Sequence, residues 1–459
     1  MTALTAEPGS FRDPGSRVFM DSNRVLRAVF QSSAADYESV RDSGLLKALI
    51  DDGQLVPATE MPPESIPETG AQYILEHPKL PFISHPYEWP FAIHKKAALL
   101  HLDLHIRCLE QGFTLSDATA YNVQFSGTRP IFIDHLSLRP YEDGEIWAGH
   151  RQFCMQFLNP LVAWTRLGIA PNAWFRGSLE GIAPEDLAPL LKRRDKLSWT
   201  LLSHVVLQAA AQRRTSGKPS KPMAKPRLPR RSFEAMLKGL RDFIAKEDIP
   251  SLGTVWAGYD TDNSYERDEA SKKRAFVQEM VAAVRPATLI DLGCNTGDYS
   301  IASLEAGANY VIGFDFDFGA LGSAVARADA GKLPFLPLWL DATNPSPSQG
   351  WNQAERSGFA QRARADAVIA LAFIHHLAIA KNVPLDMVLD WIMAVAPAGI
   401  IEFPQKDDPQ VQRLLQNRPD IFPDYGEEQF MTLLRDRARV HRTLQLEPTR
   451  RLLVWYDRS

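Results

Sequence analysis

Along the carboxyl-terminal half, short apolar runs alternate with stretches of helical spacing. The runs lie at residues 287–290, 310–314, 336–340, 366–372 and 399–403. Between them, residues 320–329 and 385–395 place apolar side chains three and four apart. Strand and helix in alternation predict an open, mostly parallel sheet, led into by a helix over 276–284. Residues 439–446 and 451–457 predict two closing strands in an antiparallel pair, joined at Glu447-Pro448-Thr449-Arg450.

The amino-terminal half reads differently. Two short strands, 18–20 and 24–30, flank a turn at Asp21-Ser22-Asn23, and helical spacing follows over 37–50. A long buried helix is expected over 92–109, carrying Ala97, Ala98, Leu100, Leu104 and Ile106. Its histidines, His94, His101 and His105, read as packing or surface residues. Helices return over 186–211. Residues 213–231 break the pattern with eight Lys or Arg, no acid, and Pro219, Pro222, Pro226 and Pro229. Such a segment cannot pack and reads as a basic, extended linker. Next comes a helix over 232–249, capped by Ser232, with Phe233, Leu237, Leu240 and Ile244 on one stripe.

These breaks divide the 459 residues into an α+β domain (1–212), the linker (213–231) and an α/β domain (232–459). Hydrophobic content of 45%, charge of 23% and a net charge of -4 fit a soluble globular chain. They carry no general nucleic-acid or membrane signature. Cys108, Cys154 and Cys294 are widely spaced and suggest neither a disulfide framework nor a zinc pattern. Without a signal-like start or a bilayer-length apolar run, a cytoplasmic location is expected. Nothing in the sequence fixes an oligomeric state.

The chemistry gathers at Leu289-Ile290-Asp291-Leu292-Gly293-Cys294-Asn295-Thr296-Gly297-Asp298. An apolar run ends in an acid, breaks into a glycine loop, and is followed by a second run ending in Asp315. That order builds a nucleoside pocket at the carboxyl edge of a parallel sheet, with Asp315 placed to accept ribose hydroxyls. The spacing Gly293-x-x-x-Gly297 differs from the dinucleotide fingerprint, and Asp291 suits an amino-bearing ligand better than a phosphate. A strand–turn–helix without a ligand is the plainer alternative. The segment resembles the first motif of class I S-adenosylmethionine-dependent methyltransferases. The resemblance implies a Rossmann-like seven-stranded sheet whose last strand is antiparallel, and S-adenosyl-L-methionine as cofactor. It implies cofactor contacts at Asp291, Gly293, Asn295, Gly297, Asp315 and, for adenine, Asp341. Trp256, Tyr259 and Tyr265 would close over the sulfonium. His375 and His376, after the fourth strand, are candidates to take a proton from the acceptor. Glu402, Lys406 and Asp408 would face the acceptor, and no metal is required.

In the amino-terminal half, Asp117-x-x-x-x-Asn122 and a hairpin ending in Asp134 resemble the catalytic loop and metal-binding Asp of protein-kinase-like phosphotransferases. If that site were live, Asp117, Asn122 and Asp134 would be its base and metal ligands. No glycine-rich loop precedes them, Arg27 is the nearest substitute for the usual lysine, and a degenerate kinase-like domain is expected. The plainer alternative is a hairpin whose Asp and Asn cap turns. The whole layout is similar to a bacterial group of two-part proteins described as methyltransferases and in part as nodulation-associated. The expectation is a methyltransferase acting on a small-molecule, sugar or glycan-related hydroxyl or amine, presented by the amino-terminal half. A bifunctional phosphotransferase and methyltransferase, and a non-catalytic cofactor-binding scaffold, remain alternatives. No base-methylation motif follows the fourth strand, which counts against a nucleic-acid acceptor.

Overall fold

The computed structural model describes residues 4–21, 24–66, 69–215, 227–249, 264–416 and 419–458, with only the backbone of 214–215 and 264–267. Two compact units result. One comprises Met1–Phe125, Arg129–Pro250 and Gln349–Arg356; the other comprises Ser126–Thr128, Ser251–Ser348 and Ser357–Ser459.

The first unit holds an antiparallel sheet in the order β1-β2-β3-β5-β4. Its strands are β1 (Thr5–Ala6), β2 (Ser16–Met20), β3 (Val25–Val29), β4 (Thr59–Met61) and β5 (Tyr73–His77). Two small antiparallel pairs follow, β6 (Phe113–Leu115) with β9 (Leu138–Pro140), and β7 (Val123–Ser126) with β8 (Arg129–Phe132). The helix expected over 37–50 is two helices, Gln31–Asp42 and Leu45–Asp51, because Gly44 turns the chain at φ +81. The long helix Phe91–Glu110 is present, and His94, His101 and His105 are buried in it as packing residues.

Along that helix packs a second one, Arg230–Lys246, through Phe233, Leu237, Leu240 and Ile244. The apolar stripe was expected, but its partner lies in the first unit, so the units do not divide at residue 232. Ser232 is not the cap. Pro229, in extended backbone at ψ 140, precedes the first turn and starts the helix two residues earlier. The helix Leu207–Thr215 runs into the expected linker, and Leu228 bridges to Gly144. The intervening residues lie outside those described.

The second unit is the expected α/β sheet, with seven strands in the order β12-β11-β10-β13-β14-β16-β15. They are β10 (Thr288–Leu292), β11 (Tyr310–Asp315), β12 (Phe335–Trp339), β13 (Ala367–Ala370), β14 (Ala398–Phe403), β15 (Arg439–Gln445) and β16 (Leu452–Asp457). The first five are parallel, and β16 runs antiparallel to both β14 and β15. Strands β13 and β14 are buried throughout, as continuous apolar runs covered on both faces should be. Leu289, Val311, Phe335, Ile369, Ile400 and Trp455 join the sheet to its helices in one core. The chain walks outward from β10 through β11 to β12, then returns past β10 to β13. That reversal opens a crevice beyond the carboxyl ends of β10 and β13. No helix among the described residues is long and apolar enough to cross a membrane.

Candidate functional site

Each strand end at this crevice delivers a side chain. Beyond β10 the loop turns through Gly293 at φ +80, Asn295 at φ +47 and Gly297 at φ +87. Glycine is needed at 297 for a second reason: a Cβ there would stand 2.6 Å from the Phe335 ring. Gly297 then starts the helix Asp298–Glu305, and Gly293 lies under Phe373, whose ring would meet a Cβ at 3.2 Å.

Asp315, at the end of β11, accepts the Asn295 N–H on Oδ2 and the Asp317 N–H on Oδ1, both at 2.8 Å. Burial raises its carboxyl above the usual range, and those backbone donors pull it back. A carboxylate has about four acceptor positions, and with the Phe316 N–H as a third backbone donor one of them stays open. Asp291 is buried, takes the Ser300 hydroxyl at 2.6 Å, and is pushed up to about 7 by burial. Asp341 follows β12 and caps its own turn through the Thr343 N–H (3.0 Å) and hydroxyl (2.6 Å). Near it Phe318 and Trp339 stack at 5.7 Å, and Phe316, directly after Asp315, is exposed. The structure thus brings Asp291, Gly293, Asn295, Gly297 and Asp315 to one loop, with Asp341 two strands away on the same edge. The side chain of Tyr265 and all of Trp256 and Tyr259 lie outside the described residues.

The acceptor-side candidates behave differently. His375 is fully buried, neither ring nitrogen has a partner among the described residues, and burial drives it down to about 2. His376 lies tilted beside it, ring centroids 4.1 Å apart, and is lowered too, by burial and then by the Arg451 charge. Both shifts favour the neutral imidazole. Glu402 does not face an open acceptor side. It is fully buried, with Oε1 held by Lys273 (2.7 Å) and Arg451 (3.1 Å) and Oε2 by the Ala372 N–H (2.9 Å). Arg451 also forks onto the buried Asp408 at 2.7 and 3.2 Å, while Asp408 caps the helix Pro409–Leu415. Lys406 pairs with Asp420.

Sequence reading missed Lys273, Arg451 and Ala372. One signal was available: an acid inside an apolar central strand must find a cation. Ala372 is held at φ +49 just beyond β13, where strained backbone gathers around binding sites.

In the first unit, Asp117, Asn122 and Asp134 do come together. The Asn122 amide lies 3.3 Å from both carboxylates, and the Ser137 hydroxyl bridges them at 2.9 and 2.6 Å. Arg27, from β3, reaches Asp134 at 2.9 Å. Asp117, Asn122, Asp134 and Arg27 line a cavity of about 360 Å³ with Arg12, Glu355, Arg356 and Tyr121. Arg356 lies 4.1 Å over the Tyr121 ring, whose buried hydroxyl (8% residue exposure) has no partner among the described residues.

No family model matches the chain. It is 46% identical over 458 residues to nodulation protein NoeA of Rhizobium meliloti (strain 1021), covering 98% of this chain and 96% of that protein. Among solved structures, the PH0226 protein of Pyrococcus horikoshii OT3 aligns with 45% of this chain and 97% of its own, at 16% identity and TM-score 0.33. Magnesium protoporphyrin IX methyltransferase of Synechocystis PCC 6803, with bound SAH, aligns with 43% of this chain and 89% of its own, at 19% identity and TM-score 0.31.

Proposed function

This chain belongs to the family of nodulation protein NoeA, and we propose that it transfers a methyl group from S-adenosyl-L-methionine to a small-molecule, sugar or glycan-related hydroxyl or amine. The observation that carries the reading is the switch point of the sheet. There a loop turned through Gly293 and Gly297, an acid with an open acceptor position and a row of aromatic side chains meet at one edge. Those residues fit the cofactor. Asp315 would take a ribose hydroxyl on its open acceptor position. Phe316, Phe318 and Trp339 offer flat apolar surface for a base, and Asp341 keeps Oδ2 for an exocyclic amine. Asp291 suits a cationic amino group nearby. Bound there, the cofactor supplies an activated methyl on a sulfonium.

Activation of the donor leaves alignment as the protein's main task. The neutral His376 is then a candidate to accept the acceptor's proton, and the buried Glu402 cluster fixes the loop after β13. The first unit's cavity suits a hydroxylated acceptor, because carboxylates, guanidinium groups, an amide and an unpartnered phenol line it.

Calorimetric titration of S-adenosylmethionine into wild type and Asp315→Ala tests this. Loss of the ribose contact should cost about 1.5–3 kcal/mol, tenfold or more in affinity. No binding to the wild type would sink the proposal.

A further inference from the structure

Three potential metal ligands in the first unit are used by nothing described above. His150 stands on the short helix His150–Phe153, and Cys154 comes one turn later, where the chain passes into a π-helical turn, Cys154–Leu158. A spacing of four stacks the two side chains on one face. His204 arrives from a separate π-helical turn, Leu202–Val206. Such turns gather at functional sites. The His150 Nε2 atom lies 2.8 Å from His204 Nδ1 and 3.7 Å from Cys154 Sγ, and all three donor atoms fall within 4.8 Å of one another.

A second observation concerns the other side of His150. The Gln208 amide lies 3.4 Å from His150 Nδ1 with its nitrogen toward the ring, which leaves its buried Oε1 without a partner among the described residues. Amide oxygen and nitrogen are interchangeable by a flip about the last torsion. Flipped, Oε1 accepts Nδ1–H, the amide nitrogen takes the oxygen's former place, and the proton of His150 is fixed on Nδ1. Its Nε2 lone pair then points at Cys154 and His204. That is the outer hydrogen bond which orients a metal-ligating histidine.

We propose that His150, Cys154 and His204 form a site for a zinc-type divalent ion, held in place by Gln208. A tetrahedral ion with bonds of ~2.0–2.1 Å to nitrogen and ~2.3 Å to sulfur keeps its donors about 3.3 Å (N–N) and about 3.6 Å (N–S) apart. The edge from His150 Nε2 to Sγ, 3.7 Å, already has about that length, and the edge from His204 Nδ1 to Sγ lies within 4.8 Å. The nitrogen edge opens by about half an ångström when the ion replaces the hydrogen bond between the two rings. On binding, the Cys154 thiol releases its proton to solvent. The proton on His204 Nδ1 moves to Nε2, so each imidazole donates one lone pair. The fourth corner takes water, since His150 is partly exposed. This site goes beyond the methyl-transfer reading and does not depend on it.

The test loads the full-length protein with Co2+ or Zn2+. Wild type should bind one equivalent, show an intense thiolate-to-cobalt charge-transfer band, and release one proton per ion near neutral pH. The band should vanish in Cys154→Ser and persist when Cys108 and Cys294 are replaced by Ser. His204→Gln should weaken Zn2+ at least a hundredfold, and Gln208→Ala roughly ten- to a hundredfold. If Cys154→Ser fails to fold, the His204 variant reads the same site. No cobalt band in the wild type, or a band that survives His204→Gln with unchanged affinity, would overturn the proposal.

Discussion

Arg451 reaches from the start of β16 to Glu402 in the neighbouring strand, Nη1 to Oε1 3.1 Å, in a setting where the carboxylate is wholly shut off from water. Burial alone would push that carboxyl up. The charges of Lys273 and then Arg451 overcome burial and hold it down to about 2. A carboxyl lowered on folding contributes stability that is complete above its unfolded value, near 4.3, and is lost as pH falls toward 2. Glu402→Gln should therefore lower the melting temperature by a constant amount above about pH 5, and the gap should close on acidification. Arg451→Met should cost about 3–5 kcal/mol at pH 7, because a buried carboxylate loses a partner. A gap that does not change with pH in thermal scans would refute this account.

The Gly297 loop makes a prediction about shape. Gly297→Ala puts a methyl at φ +87 and 2.6 Å from the Phe335 ring. The left-handed backbone alone costs about 1–2 kcal/mol. Cofactor affinity should fall as well, because the loop must move. Adding Phe335→Leu should restore part of the binding by removing the clash, though the core loses packing. Calorimetry on the single and double variants decides it. An unchanged affinity in Gly297→Ala would mean that the loop is not part of the pocket.

Much of the second unit was legible because its strands are continuous apolar runs and its loop chemistry is local. Asp291, Gly293, Gly297 and Asp315 lie within one strand–loop–helix–strand stretch. The Glu402 cluster was not legible, since Lys273 and Arg451 are distant in sequence: the sheet order brings Arg451, and the packing of the helix Ser264–Val284 brings Lys273. The helix Arg230–Lys246 showed its stripe but not its partner: an amphipathic face names no surface to cover, and this one covers Phe91–Glu110. The break at Gly44 was hidden because Leu45 to Ile50 continue the helical spacing. His150, Cys154 and His204 escaped notice because only one pair has a ligand-like spacing and the third residue comes from another turn.

Asp291 predicts a pH dependence of opposite sign. Burial pushes its carboxyl up to about 7, with Ser300 pulling it back. A raised carboxyl contributes stability that is complete below the unfolded value, near 3.9, and is lost as pH rises to about 7. Asp291→Asn should therefore melt higher than wild type at pH 8 and alike at pH 4. Affinity for S-adenosylmethionine should rise in the wild type between pH 6 and pH 8, as the carboxylate forms to meet the amino group. The asparagine variant should bind weakly and show no such rise. If both proteins have the same pH profile for binding, Asp291 plays no part in recognising the ligand.

In the first unit's cavity, the Arg27 guanidinium 2.9 Å from Asp134 stands where two neighbouring carboxylates need a positive charge. Asp117 is pushed up to about 7, by burial first and by the Asp134 charge second. Replacing Arg27 by Ala removes the cation and leaves Asp117 and Asp134 to repel each other. The variant should lose most stability at pH 8, where Asp117 is ionised, and least near pH 5, where it holds a proton. Millimolar Mg2+ or Ca2+ should restore part of the loss at pH 8, the ion taking the place of the guanidinium, and should leave wild type unchanged. A loss equal at both pH values and indifferent to the ion would show that Arg27 acts only by packing. Magnesium-dependent ATP binding by wild type would show instead that Arg27 swings aside for a metal. The bifunctional phosphotransferase reading would then displace a purely acceptor-binding cavity.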